Sequence, residues 1–242
     1  MNYRATYQQW TTDGFFNEFT GKELLAVKEE KEIEDRFYKD LEFGTGDLRG
    51  VMGAGTNRMN KYTVGKATKG LSDYLLATYS ADVCSQRGMV IGYETRNNGE
   101  YFAKTAANVL SGMGIKVYLH THARPTPQLS FSVKFWNAVA GIVLTASHIP
   151  KEYNGYKVYD EYGCQLVSHQ AKQVIAYVNA VDGYHSICFE GNVALISMAD
   201  LTDNFIGAVM KQSRYMDVQD KENLKVVYTP LHGTGNVLCR GL

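Results

Sequence analysis

Three short apolar runs, spaced by segments of helix length, constrain this sequence most. Met89 to Tyr93 (MVIGY), Ile115 to Leu119 (IKVYL) and Ala140 to Thr145 (AGIVLT) are each one buried strand long. Between the first two, Phe102, Ala106, Val109, Leu110 and Met113 recur at helical spacing, and Gly112 and Gly114 close that helix. Pro125 and Pro127 open a turn into another helix before the third run. Apolar strands that alternate with helices in this way predict an α/β layer with helices on the faces of a sheet.

The flanking segments fit around that core. Residues 1–40 are polar, charged and aromatic; TGKE at Thr20 to Glu23 fits a capping box, and Leu24 to Asp40 then reads as one amphipathic helix of an N-terminal helical arm. Glu42 to Tyr62 holds five of the 23 glycines, a backbone shaped for close approach. Val64, Ala67, Leu71, Tyr74, Leu75 and Thr78 mark a helix; Tyr156 to Tyr159 is a short fourth strand and Gln170 to Val178 a helix. A new unit is expected from Gly191, with a helix from Asp200 to Met216 and a strand, Leu224 to Tyr228, entering TPLHGTG. The expected division is an arm over 1–40, a domain over 41–190 and the incomplete start of a second over 191–242. A unit that ends after its first strand and loop cannot bury its own core, so the sequence reads as the N-terminal portion of a longer chain.

Composition narrows the function classes. Lys and Arg (25) balance Asp and Glu (25), which gives no electrostatic case for a nucleic-acid backbone or an anionic membrane as partner. Ala138 to Ala146, the most apolar stretch, is too short to span a bilayer, and the first residues lack the apolar core of a signal peptide. Cys84, Cys164, Cys188 and Cys239 lie far apart, without metal-ligand spacing, and read as free thiols of a cytoplasmic protein.

The strongest local signal is LTASHIPKEYNGYKVY, Leu144 to Tyr159. A buried strand runs out into Ser147 and His148, and Asn154-Gly155 reads as a tight turn before Lys157, a donor suited to phosphate oxygens. Ser147 at such a position is a nucleophile, a phosphoryl carrier or a turn residue. There is no G-x-S-x-G elbow, and His148 points away from Ser147 on an extended segment, which argues against hydrolase chemistry.

Taken with FGTGDLRG (Phe43 to Gly50), GAGTNRMNKYTVGKAT, VIGYETRNNGEYFA, PTPQLSF and TPLHGTGNVLCRGL, that stretch resembles the α-D-phosphohexomutases over about Leu41 to Leu242, and within them the phosphoglucomutase and phosphopentomutase branch. The resemblance implies a mixed sheet flanked by helices on both faces, followed by the start of a similar α/β domain. It implies that Ser147 carries the transferable phosphoryl group, that Lys157 contacts phosphate and moves a proton, that His148 lies against the substrate and that Arg49 lines the site. Asn154 and Gly155 are expected beside the substrate. It further implies Mg²⁺ bound through the phosphate on Ser147, with the other ligands in an acidic DGDxDR-type loop that this chain lacks, and glucose 1,6-bisphosphate as activator and intermediate. The implied reaction interconverts glucose 1-phosphate and glucose 6-phosphate, with little activity expected of this chain alone. Phosphopentomutase activity and a non-catalytic phosphosugar-binding module are the alternatives.

Plainer roles are expected elsewhere. Glu94 and Arg96 read as an ion pair at a strand end, and His120, His122 and His169 as surface or turn residues. Glu152, Asp160 and Glu161 read as solvent-facing, and His232 divides evenly between loop packing and lining the site. Two positions depart from the family pattern: Ile149 stands where Asn is usual, removing a hydrogen bond that shapes the loop, and Asp47 stands for a glycine, where a left-handed backbone is expected.

Overall fold

The computed structural model describes residues 2–44, 46–214 and 219–241. Six strands form one mixed sheet: β1 (Asp47–Val51), β2 (Met89–Tyr93), β3 (Val117–His120), β4 (Ala140–Leu144), β5 (Tyr153–Tyr159) and β6 (Ile196–Ala199), in the order β1-β5-β4-β2-β3-β6. The strands β4, β2, β3 and β6 run parallel; β5 is antiparallel to β4, and β1 to β5. The described helices are α1 (Tyr3–Thr12), α2 (Glu18–Ala26), α3 (Glu30–Phe37), α4 (Lys61–Tyr79), α5 (Ala81–Arg87), α6 (Gly99–Gly112), α7 (Thr126–Phe135), α8 (Ser168–Ala180), α9 (Thr202–Met210) and α10 (Gly235–Gly241).

The two faces of the sheet carry separate apolar layers. Met89, Ile91, Ile142, Tyr156 and Val158 pack beneath α4, α6 and α8, while Val90, Val143 and Tyr159 pack under Leu129 and Val133 of α7. The chain passes from β2 through α6 to β3 on one side, then returns through α7 to β4 on the other. The carboxyl ends of β2 and β4 therefore flank a switch point, where open α/β sheets place their ligands.

Several expectations are corrected. The N-terminal arm is three helices, because Asn17, not Thr20, caps α2 by accepting from the Thr20 amide at 2.8 Å, and Val27 then breaks out of helical geometry. The arm docks through an aromatic cluster in which Trp10, buried, stacks on Phe16 at 4.3 Å and meets Phe37, Tyr62 and Tyr184 edge-on. This is what the glycine-rich segment serves: Gly55 has φ +132°, and a Cβ there would lie 2.6 Å from the Arg36 carbonyl of the arm. The same segment contains β1, unrecognised in the sequence, and Asp47 is its first residue in extended pairing; Gly46, φ +86°, takes the left-handed position. Thr45 of that motif lies outside the described residues.

Asn154-Gly155 is not a turn. Both residues are buried inside β5, which is seven residues long because β1 pairs along its start. The strand Ile196–Ala199, beyond the expected boundary at residue 190, adds to the sheet edge beside β3. The expected helix from Asp200 to Met216 is shorter: α9 starts at Thr202 and ends at Met210, with a turn at Lys211 and Gln212, and Met216 lies outside the described residues. Leu224 to Tyr228 forms no strand: it finds no partner strand among the described residues, and Val227 is 92% exposed.

Candidate active site

The site lies where β4 leaves the sheet. β4 is buried along its whole length and delivers Thr145, Ala146 and then Ser147 at the surface. Ser147 has φ +55°, in the left-handed region, which costs a residue with a Cβ about 1–2 kcal/mol. Its hydroxyl is exposed and accepts from Lys157 Nζ at 3.4 Å. Lys157 reaches it from β5, where it pairs with Val143 on one side and Asp47 on the other. Arg49 of β1 stands opposite Gly155 on the same sheet face and is held by Asp47 at 3.1 Å, the residue that stands for the usual glycine.

The structure thus brings Ser147 and Lys157 together and puts Arg49 on the neighbouring strand. His148 is exposed on the loop beyond Ser147. Asn154 is fully buried and faces away from the cleft side of β5: its amide donates to the Asn97 carbonyl at 2.9 Å, and its oxygen accepts from the Gly155 amide at 2.7 Å. Gly155 leaves no room beside it, since a Cβ would lie 2.3 Å from the Thr145 carbonyl. Both hold the framework of the site; neither presents a group to a ligand.

Arg96 and Glu94 do not pair with each other. Arg96 donates to the carbonyls of Ser147 (2.8 Å), Pro150 (2.9 Å), Tyr153 (2.9 Å) and Ile149. The Glu94 carboxylate accepts from Thr126 at 3.1 Å and from Thr145, and the Thr145 hydroxyl accepts from the Ser147 amide at 2.9 Å. These contacts shape the serine loop through its backbone whatever side chain stands at 149, and the Ile149 amide itself closes the turn onto Ala146. The signal available in the sequence was GYETR following a buried strand, two polar residues at the end of β2 beside the end of β4. The sequence offers no way to see that they reach the serine loop and not each other.

Other expectations resolve as follows. His120 is buried, 2% exposed, with Nε2 against Ser132 at 3.2 Å; burial, aided by Arg124, holds its pKa down to about 4. His122 and His169 are exposed. Glu161 is paired with Arg87 at 2.7 Å and accepts from Tyr79, and the arginine holds its carboxyl below the usual range. Glu152 is exposed, and Asp160 folds its own turn by accepting from the Tyr162 and Cys164 amides. The His232 carbonyl accepts from Thr95, which sets the HGTG loop against the turn that carries Glu94 and Arg96. Among the described residues, no three His, Cys, Asp or Glu side chains are grouped to cage a metal ion, and no helix is long and apolar enough to cross a membrane.

Comparison with known proteins agrees with this geometry. Residues 40–185 match the family model for phosphoglucomutase/phosphomannomutase, alpha/beta/alpha domain I. A phosphoglucomutase of Staphylococcus epidermidis is 36% identical over 222 residues, covering 88% of this chain and 39% of that protein. A mouse glucose 1,6-bisphosphate synthase is 35% identical over 225 residues, 88% of this chain and 36% of its own length. In structure, the phosphoglucomutase parafusin of Paramecium superposes with a TM-score of 0.59 over 84% of this chain and 41% of its own; at 14% identity that likeness shows the fold alone. The chain spans under two-fifths of the length of these curated relatives. With a mixed α/β sheet matched over residues 40–185 and a serine loop at its switch point, this chain belongs to the phosphoglucomutase/phosphomannomutase family and carries its alpha/beta/alpha domain I.

Proposed function

We propose that the protein works as a phosphoglucomutase-type intramolecular phosphotransferase, exchanging glucose 1-phosphate and glucose 6-phosphate through a phosphorylated Ser147. One observation carries the reading: an exposed serine hydroxyl, turned out of the sheet in a left-handed conformation, lies 3.4 Å from a lysine ammonium. In the first half-reaction the Oγ–P bond of phosphoserine breaks as a sugar hydroxyl oxygen bonds to phosphorus, and the hydroxyl proton leaves to a base. The bisphosphate then returns its other phosphoryl group to Ser147. Lys157, as an ammonium, neutralises the phosphate oxygens and gives a proton to the departing Ser147 Oγ, Arg49 adds positive charge along the cleft, and His148 contacts the sugar phosphate. Phosphoryl transfer depends mostly on such positioning and charge.

Glucose 1,6-bisphosphate is the proposed activator, and the mouse relative bears that compound in its name. Mg²⁺ takes about six oxygen ligands. Once phosphorylated, Ser147 would supply it with phosphate oxygens; the described residues hold no acidic cluster beside them, so they would not make up its site by themselves. The arm over 1–40, the domain over 41–190 with β6 of the following segment added to its sheet, the second unit after that strand and a cytoplasmic setting belong to the same proposal.

The test is incubation of the purified chain with glucose 1,6-bisphosphate, followed by peptide mass spectrometry. One phosphoryl group on Ser147, absent from Ser147→Ala, is the expected result, with little or no conversion of glucose 1-phosphate by this chain alone. Phosphate at another residue, or equal labelling of the alanine variant, overturns the reading.

A further inference from the structure

We propose that Glu94, acting through Thr145, and Arg96 are positioning residues that hold the Ser147 peptide in its left-handed conformation from both ends. The inference rests on the reading of Ser147 as the phosphoryl carrier. It starts from a cost: a serine at φ +55° is held there only if its surroundings fix the peptide groups on either side. Both are fixed. The Ser147 amide donates to Thr145 Oγ1 at 2.9 Å, and the Ser147 carbonyl accepts from Arg96 at 2.8 Å.

The direction of the first bond follows from proton counting. A threonine hydroxyl has one proton, and that of Thr145 goes to the Glu94 carboxylate, which when ionised only accepts. Its lone pairs are thereby left facing the Ser147 amide. Without an acceptor at position 94, the hydroxyl is free to turn its proton toward that amide, and the loop loses its anchor. Glu94 is itself fixed: its second oxygen accepts from Thr126 at the start of α7, and its amide donates to the Leu144 carbonyl at the end of β4.

Arg96 performs the complementary task. Its two terminal nitrogens meet four carbonyls spread from Ser147 to Tyr153, so one planar fork spans the whole loop between β4 and β5. Glu94 and Arg96 are two residues apart on one turn, at the end of the strand that pairs with β4. The switch point thus supplies the groups that aim the serine as well as room for a ligand. With both ends of its peptide held, the Ser147 hydroxyl has a defined direction toward Lys157.

The experiment measures amide hydrogen exchange of Ser147 by NMR on the full chain, alongside Ser147 phosphorylation by glucose 1,6-bisphosphate followed by mass spectrometry. Thr145→Val keeps the shape and removes the acceptor; Thr145→Ser restores it. The expected result is about 10-fold faster exchange in Thr145→Val, the equivalent of one hydrogen bond, with recovery in Thr145→Ser. Phosphorylation is expected to slow by about 10- to 100-fold in Thr145→Val through misalignment, and to recover likewise. Should Thr145→Val fail to fold, Glu94→Leu, of similar length and without an acceptor, is expected to show the same faster exchange. Wild-type exchange rates in the folded variant, or no recovery with serine, overturn the positioning role. A wild-type chain with a protected Ser147 amide that takes no phosphoryl group sinks the phosphoserine reading and leaves the positioning role standing.

Discussion

Gly155→Ala is a demanding test of how the site is built. Gly155 sits in the middle of β5, bridging β1 and β4, and its backbone is not in the left-handed region, so the alanine incurs no conformational penalty of that kind. Space is the difficulty. An added Cβ would lie 2.3 Å from the Thr145 carbonyl oxygen and 3.2 Å from that of Leu48, against 3.4 Å or more in ordinary contact. Both obstacles are backbone, so no rotamer change relieves them; β5 must move by about 1 Å away from the end of β4. Overpacking of this kind costs about 1–3 kcal/mol, and weakening the bond from the Thr145 amide to the Gly155 carbonyl adds about 1 kcal/mol. For a chain of this size, each kcal/mol lowers Tm by about 2–4 °C, so a fall of about 4–16 °C is expected. Calorimetry of the wild type beside Gly155→Ala and Gly21→Ala gives the comparison. Gly21 lies inside α2 with nothing within 4 Å of its added Cβ, and alanine there is expected to stabilise by about 0.5–1 kcal/mol. A Gly155→Ala chain that melts within about 1 °C of wild type would refute the close approach of β5 to the serine loop.

The arm and the buried histidine give two more expectations. Trp10→Ala empties the centre of the aromatic cluster and is expected to cost about 3–5 kcal/mol in urea unfolding; a loss below about 1 kcal/mol means that the arm is not packed on α4. His120 has a folded-state pKa of about 4, below its ordinary value near 6.5, so the unfolded chain takes up the proton first. Its contribution, at most about 3 kcal/mol, is therefore complete above pH 6.5 and lost as pH falls toward 4. Urea unfolding of wild type and His120→Gln at pH 7 and 4.5 reads this as a steeper acid loss in wild type. Equal losses in both mean that His120 is not buried uncharged.

The core strands and the serine loop were legible in the sequence because their signals are local. An apolar run such as MVIGY or AGIVL is one strand long, too short for most helices, and lies between helix-length segments, so its position is given by composition along the chain. Ser147 and Lys157 stood out because the end of a buried strand is where α/β sheets expose functional groups. β1 was hidden because its five residues gain strand structure only from pairing with β5, and the same pairing turned Asn154-Gly155 from an expected turn into the inside of a strand. The run from Leu224 to Tyr228 shows the converse: strand-like residues form no strand where nothing pairs with them.

Sequence alone therefore determined the α/β class, the order of the central elements and the serine that carries the proposed chemistry. Tertiary structure alone decided the partners. Glu94 and Arg96, two residues apart, read as a pair because opposite charges close in sequence attract. In the fold each meets a nearer partner: Arg96 the carbonyls of the serine loop, Glu94 the Thr145 hydroxyl, bonds that a charged group strengthens. His120 took its buried, neutral state in the same way, from the helix laid across it and not from its neighbours in the chain. Hydrogen-bond partners in a folded interior are set by which groups are shut away from water together, and that is fixed only when the layers close.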